Sequence, residues 1–125
     1  MYQYYNPNPR GKRTTDCVVR AICAVTGLSW HEAFHKLIRI CDEECEMPSS
    51  NYIWEKYLIT HGYRKRLLGS DCPDCMTVRS FAMMYPFGIF VVCTGSHVVA
   101  VIDGEYYDAW DSGDEVISYC FERRS

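Results

Sequence analysis

The chain has 125 residues, 48% of them hydrophobic, and a formal net charge of −3. That is enough apolar material for one domain with a modest core, and the acidic balance argues against a nucleic-acid partner, whose backbone is bound by neutralising phosphates. No apolar run is long enough to cross a membrane, and the opening MYQYYNPNPRGKR carries no apolar signal core, so no membrane partner and a cytoplasmic location are expected.

Taken in chain order, NPNP at residues 6–9 is extended or turned, because proline and the residue before it avoid the helical region. Tyr2, Tyr4 and Tyr5 either pin this N-terminal segment across the fold or remain mobile. A helix is predicted to follow, capped by Asp16 or Thr15, with Val18, Ala21, Ile22 and Val25 at helical spacing and Gly27 as its stop. Ser29 and Glu32 form a capping box that opens a second helix, whose apolar stripe is Trp30, Phe34, Leu37, Ile38 and Cys41. A third helix is expected from about Asn51 to Thr60, ending at Gly62, and TVRSFAMMY reads as a short fourth, capped by Thr77 and ended by Pro86. The basic groups Arg10, Lys12, Arg13 and Arg64, Lys65, Arg66 read as solvated edges.

Beyond Gly88 the texture changes. IFVVCTG, HVVAVID, EYYDAW and VISYCFE are rich in valine, isoleucine and aromatics, and Asp103-Gly104 between two of them is a hairpin signal. Helices first and antiparallel strands second make a single α+β domain over residues 1–125.

Eight cysteines with no signal peptide read as free thiols, metal ligands or a nucleophile rather than a disulfide framework. Cys23, Cys93 and Cys120 fall on apolar periodic segments and read as core. Cys17 is different, because it opens a helix, where the peptide dipoles favour a thiolate. His97 opens a strand, and the hairpin at Asp103-Gly104 returns Asp108 and Asp111 towards it. Together these residue types suit nucleophilic catalysis: a thiolate attacks a carbonyl, an imidazole holds the thiolate and protonates the leaving group, and a carboxylate orients the imidazole. A two-residue turn would pair Ile102 with Glu105, set His97 opposite Trp110 and put Asp108 on its face. A three-residue loop with a bulge would instead favour Asp111.

At these residues the chain resembles the papain-like cysteine peptidases, closest to the compact bacterial type that processes double-glycine leaders. That group has an Asp-Cys pair at a helix start, matched by Asp16-Cys17, and a histidine before a run of valines, matched by HVVAVIDG. Its third member lies on the next strand, matched within YYDAWDS. The resemblance implies a papain-like fold and hydrolysis of an amide or thioester through an acyl-enzyme, on a protein or peptide substrate and with no cofactor. The histidine-to-carboxylate separation usual in such sites ranks Asp111 first and Asp108 as its alternate. The group places a glutamine about six residues before the nucleophile to complete the oxyanion hole. Gly11 stands there in this chain, leaving the Cys17 N–H with Asn8, Thr14 or Thr15 as candidates for the second donor. Trp110 would shield the histidine–carboxylate bond, as an aromatic does in these sites, or simply pack on the sheet.

Two other motifs compete. HEAFH matches the zinc-peptidase pattern through His31, Glu32 and His35, with Glu55 as a third ligand. Against it, Glu32 already serves the capping box, Lys36 and Arg39 follow, and both histidines lie off the apolar stripe. Cys72 and Cys75 have C-x-x-C spacing and, with Cys41 and Cys45, could form a structural zinc knot. A non-enzymatic reading keeps the papain-like scaffold as a protein-binding module.

Overall fold

A computed structural model describes residues 1–67 and 76–123. The class is α+β. The N-terminal strand β1 (Tyr2–Tyr4) precedes helices α1 (Cys17–Thr26), α2 (Trp30–Glu44) and α3 (Asn51–Thr60). Strand β2 (Tyr63–Leu67) and helix α4 (Val78–Met84) follow, and β3 (Ile89–Cys93), β4 (Val98–Ile102), β5 (Glu105–Asp108) and β6 (Tyr119–Arg123) complete the chain. The strands form one sheet in the order β1-β5-β4-β3-β6-β2, antiparallel except for the β1–β5 pair.

Local chemistry sets the helix ends. In α2 the Ser29 hydroxyl accepts from the Glu32 N–H while the Glu32 carboxylate accepts from the Ser29 N–H, satisfying two donors that a helix start leaves bare. Thr77 and Ser80 make the same reciprocal cap on α4. Gly27 closes α1 in the left-handed conformation, its N–H bonded to the Cys23 carbonyl. Asp16 occupies the N-cap position of α1 but its side chain makes no capping bond. Its carboxylate is turned instead to Arg20 and Trp30.

The β4–β5 hairpin turns on two residues, with Ile102 paired to Glu105 and positive φ at both Asp103 (49°) and Gly104 (81°). That is the turn whose twist matches the flanking strands. The sheet separates two apolar layers. Val91, Cys93, Val98, Ala100 and Phe121 pack with α1, α2 and α3, around the buried Trp54. Phe90, Val92, Val99, Val101 and Cys120 pack with α4, around Phe81 and Tyr106. Alternate residues of each strand thus serve opposite layers, as the pleat requires.

Two strands lie where the sequence reading placed none. The N-terminal tyrosines form β1, which extends the sheet beside β5, with the Tyr5 N–H reaching the Asp108 carbonyl at 2.8 Å. The basic run at 64–66 lies in β2, at the opposite edge. Arg64 and Arg66 reach Glu122 on one side and Lys65 reaches Glu55 on the other. Charged side chains on an edge strand discourage pairing with another chain. Among the described residues, no helix is long and apolar enough to cross a membrane.

Candidate active site

Cys17 is the first residue of α1 and half-buried, following a turn in which the Asp16 N–H bonds the Thr14 carbonyl at 2.8 Å. His97 directly precedes β4, and Asp108 is the last residue of β5. Extending the hairpin ladder puts Asp108 opposite Val99, one diagonal step from His97, a distance that side chains span. The His97 Nε2 and Asp108 Oδ2 are 2.6 Å apart. With Nε2 committed to Asp108, Nδ1 is the ring nitrogen left to face the Cys17 thiol, which lines the same two hollows as His97 and lies near enough for each group to shift the other's proton affinity.

The electrostatics follow from this arrangement. Burial pushes the Cys17 thiol up, but the bond from His97, the Val98 N–H and the positive charges of His97 and Arg20 bring it below the usual thiol value. Burial opposes charge on His97 as well. The bonds to Asp108 and Cys17 outweigh it and raise the imidazole from 6.5 to about 9. Burial would raise Asp108, and its bonds from His97, Ser112 and the Ala109 N–H hold it below the ordinary carboxylate value. The three groups therefore favour a thiolate, an imidazolium and a carboxylate.

Asp108, not Asp111, touches His97. The two-residue turn decides this, since the bulged loop that would have favoured Asp111 does not form. Asp111 instead accepts the Tyr106 hydroxyl at 2.6 Å and the Gly113 N–H at 3.0 Å, and lies 3.5 Å from Arg79. Trp110 lies over His97, with ring centroids 5.0 Å apart and planes 32° from parallel, so it covers the imidazole while remaining partly exposed.

Sequence reasoning missed a buried polar network behind these groups. Arg20 donates to Asp16 Oδ1 at 2.8 Å and to Asp108 Oδ1 at 3.1 Å. The Trp30 indole N–H bonds Asp16 Oδ2 at 2.9 Å, and the Ser112 hydroxyl bonds Asp108 Oδ2 at 2.7 Å. The available signal was an arginine set between the apolar Val19 and Ala21, four residues after an aspartate.

Cys17 and His97 sit where two hollows meet. A groove of about 830 Å³ runs from them over Trp30, Phe34, Leu37 and Trp54. A smaller hollow of about 310 Å³ is bounded by Arg13, Ala109 and Trp110. Thr14 and Thr15 line both hollows, whereas Asn8 lines neither. Gly11 is exposed, with open space where a side chain would begin.

The HEAFH motif is not assembled into a metal site. His31 and His35 are exposed on α2, Glu32 is held in the capping box, and Glu55 accepts from Lys65 and from the Tyr119 hydroxyl. Among the described residues, no group of three or more His, Cys, Asp or Glu side chains is placed to hold a metal ion. Of the zinc-knot cysteines, Cys41 is buried and Cys45 exposed, while Cys72 and Cys75 lie outside the described residues. Cys23, Cys93 and Cys120 are buried, as their apolar periodicity implies. No family model, curated protein or solved structure matches the chain.

Proposed function

We propose that the protein is a cysteine-dependent hydrolase of papain-like type, acting on an amide or thioester bond of a protein or peptide. Cys17 is the nucleophile, His97 the general base and acid, and Asp108 the orienting carboxylate. The observation that carries this reading is that Cys17, at the start of α1, and His97, bonded at 2.6 Å to a buried Asp108, line the same apolar groove.

Each group has a defined task. The Cys17 thiolate attacks the carbonyl carbon, and the carbonyl π electrons move to oxygen. The Cys17 N–H, which has no partner within the helix, and a hydroxyl from Thr14 or Thr15 would face that oxyanion. Collapse expels the amine or thiol, which takes the proton from His97 and leaves a thioester on Cys17. His97, now neutral, removes a proton from water as the water attacks the thioester. The acid departs and the thiolate–imidazolium pair is restored. Asp108 keeps the ring oriented and stabilises its charged form throughout.

A catalytically silent binding module is the second reading, favoured by Gly11, which brings no side chain to the oxyanion hole. The deciding test is alkylation with limiting iodoacetamide over pH 5 to 9, read by peptide mass spectrometry. A hydrolase requires Cys17 to react first, with an apparent pKa well below the free-thiol value of about 8.5. It also requires His97→Ala to remove that advantage and Cys17→Ala to abolish turnover of a peptide library. An inert Cys17 beside reactive cysteines elsewhere would overturn the reading.

A further inference from the structure

Arg20 is a charged residue in the core, only 4% exposed and one helical turn beyond Cys17. Its Nε is buried without a hydrogen-bond partner among the described residues. An apolar residue of similar volume often serves stability as well as a buried ion pair does. The position therefore points to a role in arranging the site.

The division of the Asp108 carboxylate supplies that role. Oδ1 receives Arg20 and the Ala109 N–H, and Oδ2 receives His97 and the Ser112 hydroxyl. Fixing Oδ1 leaves Oδ2 as the oxygen facing the imidazole. Arg20 is itself held from the far side by Asp16, whose other oxygen is tied to the Trp30 indole. The brace runs from Trp30 on α2, through Asp16 and Arg20 at the start of α1, to the end of β5. Asp16 and Asp108 both face the one guanidinium, so Arg20 is the cation that the two carboxylates share.

We propose that Arg20 is a positioning residue, which with Asp16 as its brace fixes the Asp108 carboxylate so that one oxygen is presented to His97. The inference rests on the hydrolase reading above and extends it to a buried residue whose guanidinium bonds Asp16 and Asp108. The planar guanidinium matters because it reaches both carboxylates at once, which a lysine ammonium does not reproduce. Positive charge from Arg20 also favours the Cys17 thiolate.

The test compares wild type, Arg20→Lys, Arg20→Met and Asp16→Asn in Cys17 alkylation against pH, each beside its own thermal melt. Arg20→Met is expected to slow alkylation near pH 6.5 by about 10- to 100-fold and to move the acidic limb up by about one to two pH units, the span of a lost charge partner. Arg20→Lys should keep most of the stability yet lose about 3- to 10-fold in rate, as a charge without the fork. Asp16→Asn keeps an acceptor for Trp30 and should lose a similar factor, which keeps the test decisive if Arg20→Met fails to fold. Wild-type pH profiles in Arg20→Lys and Asp16→Asn, with only the melts lowered, would overturn the positioning role alone. A wild-type Cys17 with no depressed acidic limb would overturn the hydrolase reading, and this inference with it.

Discussion

Replacing Asp108 with asparagine separates the two carboxylates most directly. His97 is held at about 9 against an ordinary 6.5. At about 1.4 kcal/mol per pH unit, the fold favours the imidazolium by about 3 kcal/mol, shared between Asp108 and Cys17. Asparagine removes the carboxylate charge 2.6 Å from Nε2 while keeping the shape. A close opposite charge is worth about one to three pH units, so the alkaline limb of peptide turnover, which needs the His97 proton for the leaving group, should fall from about 9 to about 6–8. The acidic limb should rise, because a less stable imidazolium supports the thiolate less. Alkylation rates, which read the thiolate, would show the acidic limb rising, and peptide turnover from pH 5 to 10 would show the alkaline limb falling. Losing one partner of a buried pair costs up to about 3–5 kcal/mol, so rates must be taken well below the variant's own melting temperature. Asp111→Asn is the matched control. That carboxylate is half-exposed and bonded to Tyr106 and Gly113, so both limbs should stay in place. A profile shifted by Asp111→Asn and untouched by Asp108→Asn would refute the reasoning.

Stability should depend on pH through the same groups. His97 is raised, so its contribution is whole below about 6.5 and is lost as pH climbs through about 9. Asp108 is lowered, so its contribution is whole above 3.8 and is lost as pH falls through its depressed value. Cys17 is lowered and so opposes His97 over the same range, which makes Cys17→Ala the background for the test: there calorimetric Tm should fall as pH rises above about 6.5, and adding His97→Gln should flatten that decline; an unchanged slope would exclude His97 as its source. Ser29→Ala removes the acceptor for the Glu32 N–H and should cost about 1 kcal/mol in a urea titration, with Cys17 reactivity unchanged. Gly104→Ala forces a side chain into a positive-φ turn, its Cβ 3.3 Å from Pro86 Cα and 3.4 Å from the Ala82 carbonyl oxygen. It should cost at least about 1–2 kcal/mol and slow Cys17 alkylation, because the turn sets where Asp108 meets His97.

Helix positions were legible because their ends are written in local chemistry. Ser29 with Glu32, Thr77, and Gly27 each act on backbone groups within a few residues of themselves. The two edge strands were not legible, for opposite reasons. β1 has three residues and pairs in parallel with a strand about a hundred positions away, so no local turn announces it. β2 spreads arginine and lysine over both faces, which erases the alternation that marks a half-buried strand. Its charges are matched by Glu122 and Glu55, partners that appear only once the chain has folded.

At the site, the order of cysteine, histidine and carboxylate was readable, but the choice of carboxylate hung on one residue of turn length. Strand parity is two, so an extra loop residue sends the ladder to the other face. Asp103-Gly104 carries positive φ at both positions, which settles the count at two and brings Asp108 to His97. Arg20 was invisible for a deeper reason. Helical periodicity locates a buried face and does not say that a charge on that face has a partner, and Asp108 lies 88 residues away. The same carboxylate is where separate parts of the fold converge. Tyr2 of β1 and Tyr5 just after it hold its backbone carbonyl, α1 holds one side-chain oxygen through Arg20, and Ser112 and His97 share the other. With its main chain and both oxygens tied, Asp108 has little freedom to follow the imidazole. His97 must instead settle where Asp108 is, and the rigidity of the sheet edge is passed to the thiolate through one 2.6 Å contact.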